Sequence, residues 1–351
     1  MTTIPTTTAP AGPPATGQLT TVRFRAMATD VTVTAVATGD LARAATTRAR
    51  EVFARVEAAC TRFDPAAPLM RANAAPQQWH QVPRECFDAV DEAHRAHVET
   101  GGLFDPRILE TLLRLGYDRS LPFGGQVPPR VDTLPATTAR TASPSAIPVR
   151  TADRAAAGEP WQPGLDAAAG AVRLGEHPID LGGIGKGLAV RWAAAELAPL
   201  GVPYLVEAGG DISVGGNGPE DDGWLVGIED PAPGGGGDPE LIAVLRLADL
   251  SCATSSVRVR TWHVDGRPVH HLIDPRTGDS SSSGLRAVTV VGPDPASAEV
   301  WSKALFLEGA AAIAQACRDR GLAAYWVSDT GSTGFSPTMT PYVMWQDDDA
   351  N

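Results

Sequence analysis

Ile179-Asp180-Leu181-Gly182-Gly183-Ile184-Gly185-Lys186-Gly187, running into Leu188-Ala189-Val190-Arg191-Trp192-Ala193, is the most informative stretch of this chain. A short apolar run ends in an acid, four glycines and a lysine follow, and an alanine-rich helical segment begins. Glycines let backbone N–H groups approach a bulky anion, a helix N-terminus adds partial positive charge, and Lys186 adds a full one. The spacing is too short for a P-loop, and no Ser or Thr follows the lysine. The glycines also fall in the wrong register for a dinucleotide-binding fingerprint. Two readings stand: a phosphate cradle, or a tight strand-to-helix turn with an exposed lysine.

Outward from this stretch, residues 22–36 alternate as two strands around Ala26-Met27-Ala28-Thr29-Asp30. Apolar residues at helical spacing predict helices over 41–60, 86–100, 105–115, 186–200, 296–309 and 310–320. Strands are expected at 171–174, 204–207, 212–214, 224–229, 243–246, 257–264, 269–273 and 285–291, with a tight hairpin at Asp265-Gly266. This order predicts an α+β fold, one large domain with a mixed, largely antiparallel sheet flanked by helices. The domain is placed at 19–345, after a disordered arm at 1–18 and before an acidic tail at 346–351. Residues 121–160, dense in Pro, Ala and Thr, read as an insertion.

The 351-residue chain is 43% hydrophobic, enough for a sizeable core, and carries a net charge of −12, which argues against a nucleic-acid partner. No apolar run is long enough to span a bilayer, and the start lacks signal-peptide features, so no membrane anchor and a cytoplasmic location are expected. Cys60, Cys86, Cys252 and Cys317 are scattered and suit a reducing compartment. His94 and His97 share a helical face with Asp91 nearby, a trio better read as a solvated face than as a metal site.

Four further segments carry polar chemistry. They are Phe104-Asp105-Pro106, Glu207-Ala208-Gly209-Gly210-Asp211, the small polar turn Ala253-Thr254-Ser255-Ser256, and His270-His271-Leu272-Ile273-Asp274-Pro275-Arg276-Thr277-Gly278. Each also reads as ordinary turn or strand-end structure. Together they supply charge, a base and positioning groups. A histidine near neutral pKa suits deprotonation of a hydroxyl, and lysine, arginine and backbone N–H groups suit a pyrophosphate transition state.

These motifs, in this order, resemble the ApbE family of flavin transferases. Ala26-Met27-Ala28-Thr29, Thr61-Arg62-Phe63-Asp64-Pro65 with Leu69-Met70-Arg71-Ala72-Asn73, and Thr100 to Pro106 are similar to its first three blocks. Asp180 to Gly187, Ala208 to Asp211, Ala253-Thr254-Ser255 and His271 to Gly278 are similar to the rest of its signature. The resemblance implies transfer of the FMN half of FAD to a Ser or Thr of a target flavoprotein, with release of AMP and help from Mg2+. An FAD pyrophosphatase, and a flavin-binding protein without turnover, are the alternatives.

The resemblance assigns His271 as base and Lys186 as charge neutraliser. Met27, Phe63, Phe104 and Ile273 are expected against the flavin ring. Asp180, Glu207 and Asp211 are expected on ribityl or adenosine hydroxyls. Asp105, Gly183, Gly209, Gly210, Ser255, Asp274 and Arg276 complete the implied cofactor set. Gly185 and Glu299 are the implied metal ligands. The chain departs from the family pattern at Ala28 and Ser256, each in place of Gly. It also carries Glu299 and Lys303 where many members have a metal-binding Asp and Thr, so Lys303 is expected to stand in for the metal.

Overall fold

The computed structural model describes residues 18–118, 160–231, 240–258 and 260–347. The expected arm at 1–18 and insertion at 121–160 therefore lie outside the described residues except for Gln18 and Pro160, as does the tail beyond Asp347.

Eight strands form the central sheet, and their order in space is their order in the chain: Leu19–Ala26, Thr29–Val36, Tyr204–Ala208, Asp211–Gly215, Ser251–Ser256, Leu285–Gly292, Ala323–Ser328 and Thr333–Phe335. Each neighbouring pair is antiparallel. The helices are α1 (Gly39–Cys60), α2 (Pro68–Ala74), α3 (Arg84–Glu99), α4 (Leu109–Arg114), α5 (Gly185–Leu197), α6 (Pro295–Glu308) and α7 (Ile313–Arg320). Among the described residues, no helix is long and apolar enough to cross a membrane.

The sheet is covered on both faces, and alternation along each strand explains how. Cys252 joins a core with Trp224, Val226, Leu245 and Tyr325 from a three-stranded sheet and its neighbours. The next residue, Ala253, faces the opposite way, toward Leu305 and Phe306 of α6 and Ile313 of α7. On the helical side, α1 presents Ala45, Ala49, Val52, Phe53 and Val56 to the sheet and to α5. Helix α5 is buried on nearly every side. A Cβ on Gly187 would lie 2.7 Å from Ala296 Cα, so glycine is what lets α5 and α6 touch.

Several expected elements are revised. Residues 253–256 are not a turn but the end of a central strand, Ser251–Ser256. Small side chains fit between two covered faces, and their hydroxyls are satisfied: Thr254 Oγ1 pairs with Thr289 Oγ1 at 2.8 Å and Ser255 Oγ with Ser302 Oγ at 2.7 Å. The strand expected at 269–273 breaks between two hairpins, after Arg267–His270 and before Ile273–Asp274, so His271 and Leu272 leave the ladder. Of the strand expected at 257–264, Thr261–Val264 forms, and the third expected helix starts at Leu109. The Asp265-Gly266 turn forms as expected, with φ of 50° and 77°.

Candidate active site

A cleft opens where α1, the glycine loop, α6 and the hairpins after the Ser251–Ser256 strand meet. The sheet delivers one corner of it. Two hairpin turns sit side by side at the sheet end, Met27-Ala28 with φ of 52° and 58° and Gly209-Gly210 with φ of 60° and 92°. Both bends have φ above zero at both positions, the arrangement of a type I′ turn. The first turn places Met27 and Ala28 on the cleft wall. A Cβ on Gly209 would lie 2.5 Å from Thr29 Oγ1, which makes glycine necessary there.

The glycine loop is pinned before it reaches the cleft. The Asn73 side-chain amide closes both backbone hydrogen bonds of Ile179, each at 2.8 Å. Asp180 N donates to the Pro106 carbonyl at 2.7 Å, and the Asp180 carboxylate accepts from Gly182 N. The loop amides are mostly closed by the protein itself. Ile184 N and Gly185 N donate to the Leu181 carbonyl, and Gly187 N donates to Glu299 Oε2 at 2.8 Å. The amides of Leu181, Gly183 and Lys186 lack an acceptor among the described residues. The full N–H cradle expected from the sequence is thus reduced to three amides, and side chains supply the remaining positive charge.

Those side chains form a buried cluster. Lys186 Nζ donates to Asp211 Oδ2 and, at 2.6 Å, to Glu299 Oε1, which also accepts from Lys303 Nζ at 3.1 Å. An ammonium has three N–H donors, so Lys186 keeps one for the cleft it lines. Burial opposes ionisation of Glu299, but the two lysines and Gly187 N outweigh it and hold the carboxyl at about 2. Asp211 has fewer donors, and burial with the Glu299 charge pushes it up to about 7. Burial lowers the Lys303 ammonium despite Glu299. Arg260 also lines the cleft and makes no hydrogen bond or ion pair from its side chain among the described residues.

His271 lines the same cleft, and its buried Nδ1 has no hydrogen-bond partner among the described residues. Burial, then the Arg260 and Lys303 charges, push the imidazole well below its ordinary value, so it is neutral at pH 7. Its neighbour His270 is occupied. His270 Nδ1 accepts from Leu272 N at 3.3 Å, so Nε2 carries the proton and donates to the Ser281 carbonyl at 2.9 Å. His97 is likewise structural: Nε2 accepts from Trp161 N and Nδ1 donates to the Phe104 carbonyl at 3.0 Å. Among the described residues, no group of three His, Cys, Asp or Glu side chains is placed to hold a metal ion.

One arrangement occurs twice. Phe104-Asp105-Pro106-Arg107 and Ile273-Asp274-Pro275-Arg276 both place an apolar residue on the cleft wall, then fold the arginine back on the acid. Arg107 donates from N, Nε and Nη2 to Asp105 at 2.7–3.2 Å, and Arg276 does the same to Asp274 at 2.8–3.2 Å. Arg276 Nη2 also reaches the Leu307 carbonyl at the end of α6, at 2.6 Å. These acids hold the wall in place.

Of the expected site residues, Met27, Phe63, Phe104, Asp105, Asp180, Gly183, Gly185, Lys186, His271 and Ile273 line the cleft. Glu207, Gly209, Gly210, Asp211, Ser255, Asp274, Arg276 and Glu299 do not. Glu207 closes its own turn by accepting from Gly210 N at 3.1 Å, and Ser255 is held against α6. Sequence reading assigned no role to Arg62, Tyr117 and Arg260, which also line the cleft.

The ApbE family model matches residues 27–326, which hold both hairpin turns, the glycine loop and His271. The chain belongs to the ApbE family. It is 30% identical over 164 residues to the FAD:protein FMN transferase of Klebsiella pneumoniae, covering 46% of each chain. The corresponding protein of Haemophilus influenzae is 31% identical over 153 residues, 43% of this chain and 44% of that one. The chain thus spans about half the length of the curated relatives it matches. The ApbE protein of Thermotoga maritima superposes with a TM-score of 0.75 at 23% identity, covering 93% of this chain and 99% of that one. The apo Pseudomonas stutzeri flavinyl transferase ApbE gives 0.71 at 22% identity, covering 92% and 96%. The ApbE fold therefore extends over nearly the whole chain.

Within this ApbE chain the residues do not fit a bound Mg2+. Magnesium takes oxygen ligands, and both Glu299 oxygens are already committed, to two ammoniums and a backbone amide.

Proposed function

We propose that the chain transfers the FMN moiety of FAD to a Ser or Thr hydroxyl of a target flavoprotein, forming a phosphoester and releasing AMP. The observation that carries this reading is His271: a neutral imidazole with an unpartnered buried nitrogen, in one cleft with a glycine loop and the cations Lys186, Lys303 and Arg260. The relatives named FAD:protein FMN transferase support the choice of substrate.

In this reading the acceptor hydroxyl gives its proton to His271 while its oxygen attacks the FMN-side phosphorus. The bond from that phosphorus to the bridging oxygen breaks, and the oxygen leaves with AMP. Lys186, Lys303, Arg260 and the Gly183 and Lys186 amides offset the charge that builds on the phosphates. Met27, Phe63, Phe104 and Ile273 offer the flavin ring an apolar wall. Lys303, seated on Glu299, supplies fixed positive charge where a divalent cation would otherwise act. Four free, buried cysteines suit a reducing compartment, and we read the chain as cytoplasmic.

The test is incubation with FAD, with and without an acceptor protein, reading AMP release and covalent flavin on the acceptor. Flavin attached to a Ser or Thr supports transfer. AMP released equally without acceptor, and no adduct, points instead to hydrolysis of FAD.

A further inference from the structure

Arg62 carries a donor that the protein does not use. Its Nε donates to Asp180 Oδ2 at 2.8 Å and its Nη1 to the Tyr117 carbonyl at 2.5 Å. Its Nη2 is buried and has no hydrogen-bond partner among the described residues. The side chain is only 8% exposed, yet it lines the cleft. The guanidinium cannot easily swing away. Its carbon lies 4.3 Å from the Phe63 ring centroid and 4.1 Å from that of Tyr117. Two hydrogen bonds and two rings therefore fix the direction of the third donor.

Leaving a buried N–H unmet is costly, and more so on a charged group. Balancing Asp180 does not require that cost, since a lysine ammonium would serve as counter-ion without a rigid fork. An arginine locked in this way is suited to a flat acceptor that arrives with a ligand. The surroundings say which part of a ligand. Around Arg62 the wall is apolar and aromatic, with Phe63 and Tyr117 against the guanidinium and Leu112 packed in one cluster with Tyr117. Lys186 and Lys303 instead meet on Glu299 Oε1, which gathers positive charge for the anionic part of a ligand.

We propose that Arg62 is a specificity-determining residue that donates from Nη2 to a carbonyl oxygen on the pyrimidine edge of the isoalloxazine ring. The inference rests on the flavin-transfer reading above and extends it to a residue that selects the ring. A fixed cation beside a conjugated ring carbonyl stabilises negative charge there, so bound flavin should show a shifted absorption band and a raised reduction potential. Adenine, the other ring of FAD, has no carbonyl to receive this donor.

The experiment titrates the full chain and its Arg62→Lys and Arg62→Met variants with riboflavin, FAD and ADP, with melting temperatures alongside. Arg62→Lys keeps a cation facing Asp180, which guards against loss of the fold. A ligand-side arm, needing no variant, uses riboflavin with its C2 or C4 oxygen replaced by sulfur, a poorer acceptor. The expected result is riboflavin and FAD binding about tenfold weaker in both variants, with ADP changed less than about twofold. One of the two sulfur analogues should lose about the same factor on the wild-type chain, and little on Arg62→Lys. Unchanged riboflavin affinity in Arg62→Lys overturns the inference. So does equal weakening of ADP and riboflavin, or full affinity for both sulfur analogues. A wild-type chain that binds ADP but no flavin overturns the transferase reading itself, and this inference with it.

Discussion

Lys186 Nζ lies 2.6 Å from Glu299 Oε1, a bond that ties the first turn of α5 to the middle of α6 beneath the cleft. The same ammonium binds Asp211 on the central sheet. One side chain thus joins three elements and still has an N–H to offer the cleft. Structure and charge are not separable at this position.

Lys186→Met is therefore expected to do two things at once. Two buried carboxylates lose their shared partner, a change that typically costs about 3–5 kcal/mol. FAD-dependent AMP release should fall at least tenfold, about 1.4 kcal/mol in the barrier. Chemical denaturation and a turnover assay on the same preparation check both. Wild-type stability together with wild-type turnover would sink the account of the cluster.

The two adjacent histidines should separate cleanly. His271→Ala removes the proposed base, and general-base loss typically costs about a hundredfold or more in rate. His270→Ala removes two hydrogen bonds and an edge-on contact with Phe306, and should lower stability with a smaller effect on rate. Rate loss confined to His270→Ala would reverse the assignment. The pH profile adds a check. His271 is held well below its ordinary value, so the acid limb of turnover should lie well below pH 6.5. The sign for stability follows: the unfolded imidazole takes up a proton more readily, so this contribution is full above about pH 6.5 and falls away on acidification.

Ala28 offers a test confined to the backbone. It sits at φ 58°, next to Met27 at 52°, in a turn that favours glycine. Ala28→Gly should raise stability by about 1 kcal/mol without touching a buried contact. No gain in denaturation midpoint would show that the turn is not strained.

How much of this was legible beforehand depended on whether the signal was local. Periodicity marked α1, α3 and the strand Trp224–Glu229, whose burial alternates residue by residue. The Asp-Gly hairpin was readable because its turn needs positive φ. The Ser251–Ser256 strand was misread because its small polar residues look like a turn unless both covering layers are known. The loop glycines signalled an anion cradle, but which amides stay available depends on Leu181, Asp180 and Glu299 folding onto them. Arg62 stood in a quoted motif and passed unnoticed, because its stacking on Tyr117 joins residues 55 apart.

The metal question ends in the pair formed by Glu299 and Lys303. On sequence alone the two are an ordinary i, i+4 pair on a helix, worth a few tenths of a kcal/mol if exposed. The structure buries them instead: Glu299 is fully buried, and Lys303 packs its aliphatic stem toward Gly183, where a Cβ would lie 3.5 Å from the lysine carbons. An ammonium so placed, held on the Glu299 carboxylate, brings its own charge and needs no ion from solution. On the transferase reading, the wild-type chain is therefore expected to keep most of its AMP release after exhaustive EDTA treatment. Lys303→Thr removes that charge and one of the two ammoniums on Glu299 Oε1, which leaves room beside the carboxylate for a hard cation with oxygen and water ligands. That variant should be slow in EDTA and recover at least tenfold on addition of Mg2+. Calorimetric titration with Mg2+ in the absence of FAD gives a second readout, with uptake expected only in Lys303→Thr. A wild-type chain silenced by EDTA and fully restored by Mg2+ would show that Lys303 does not replace the cation.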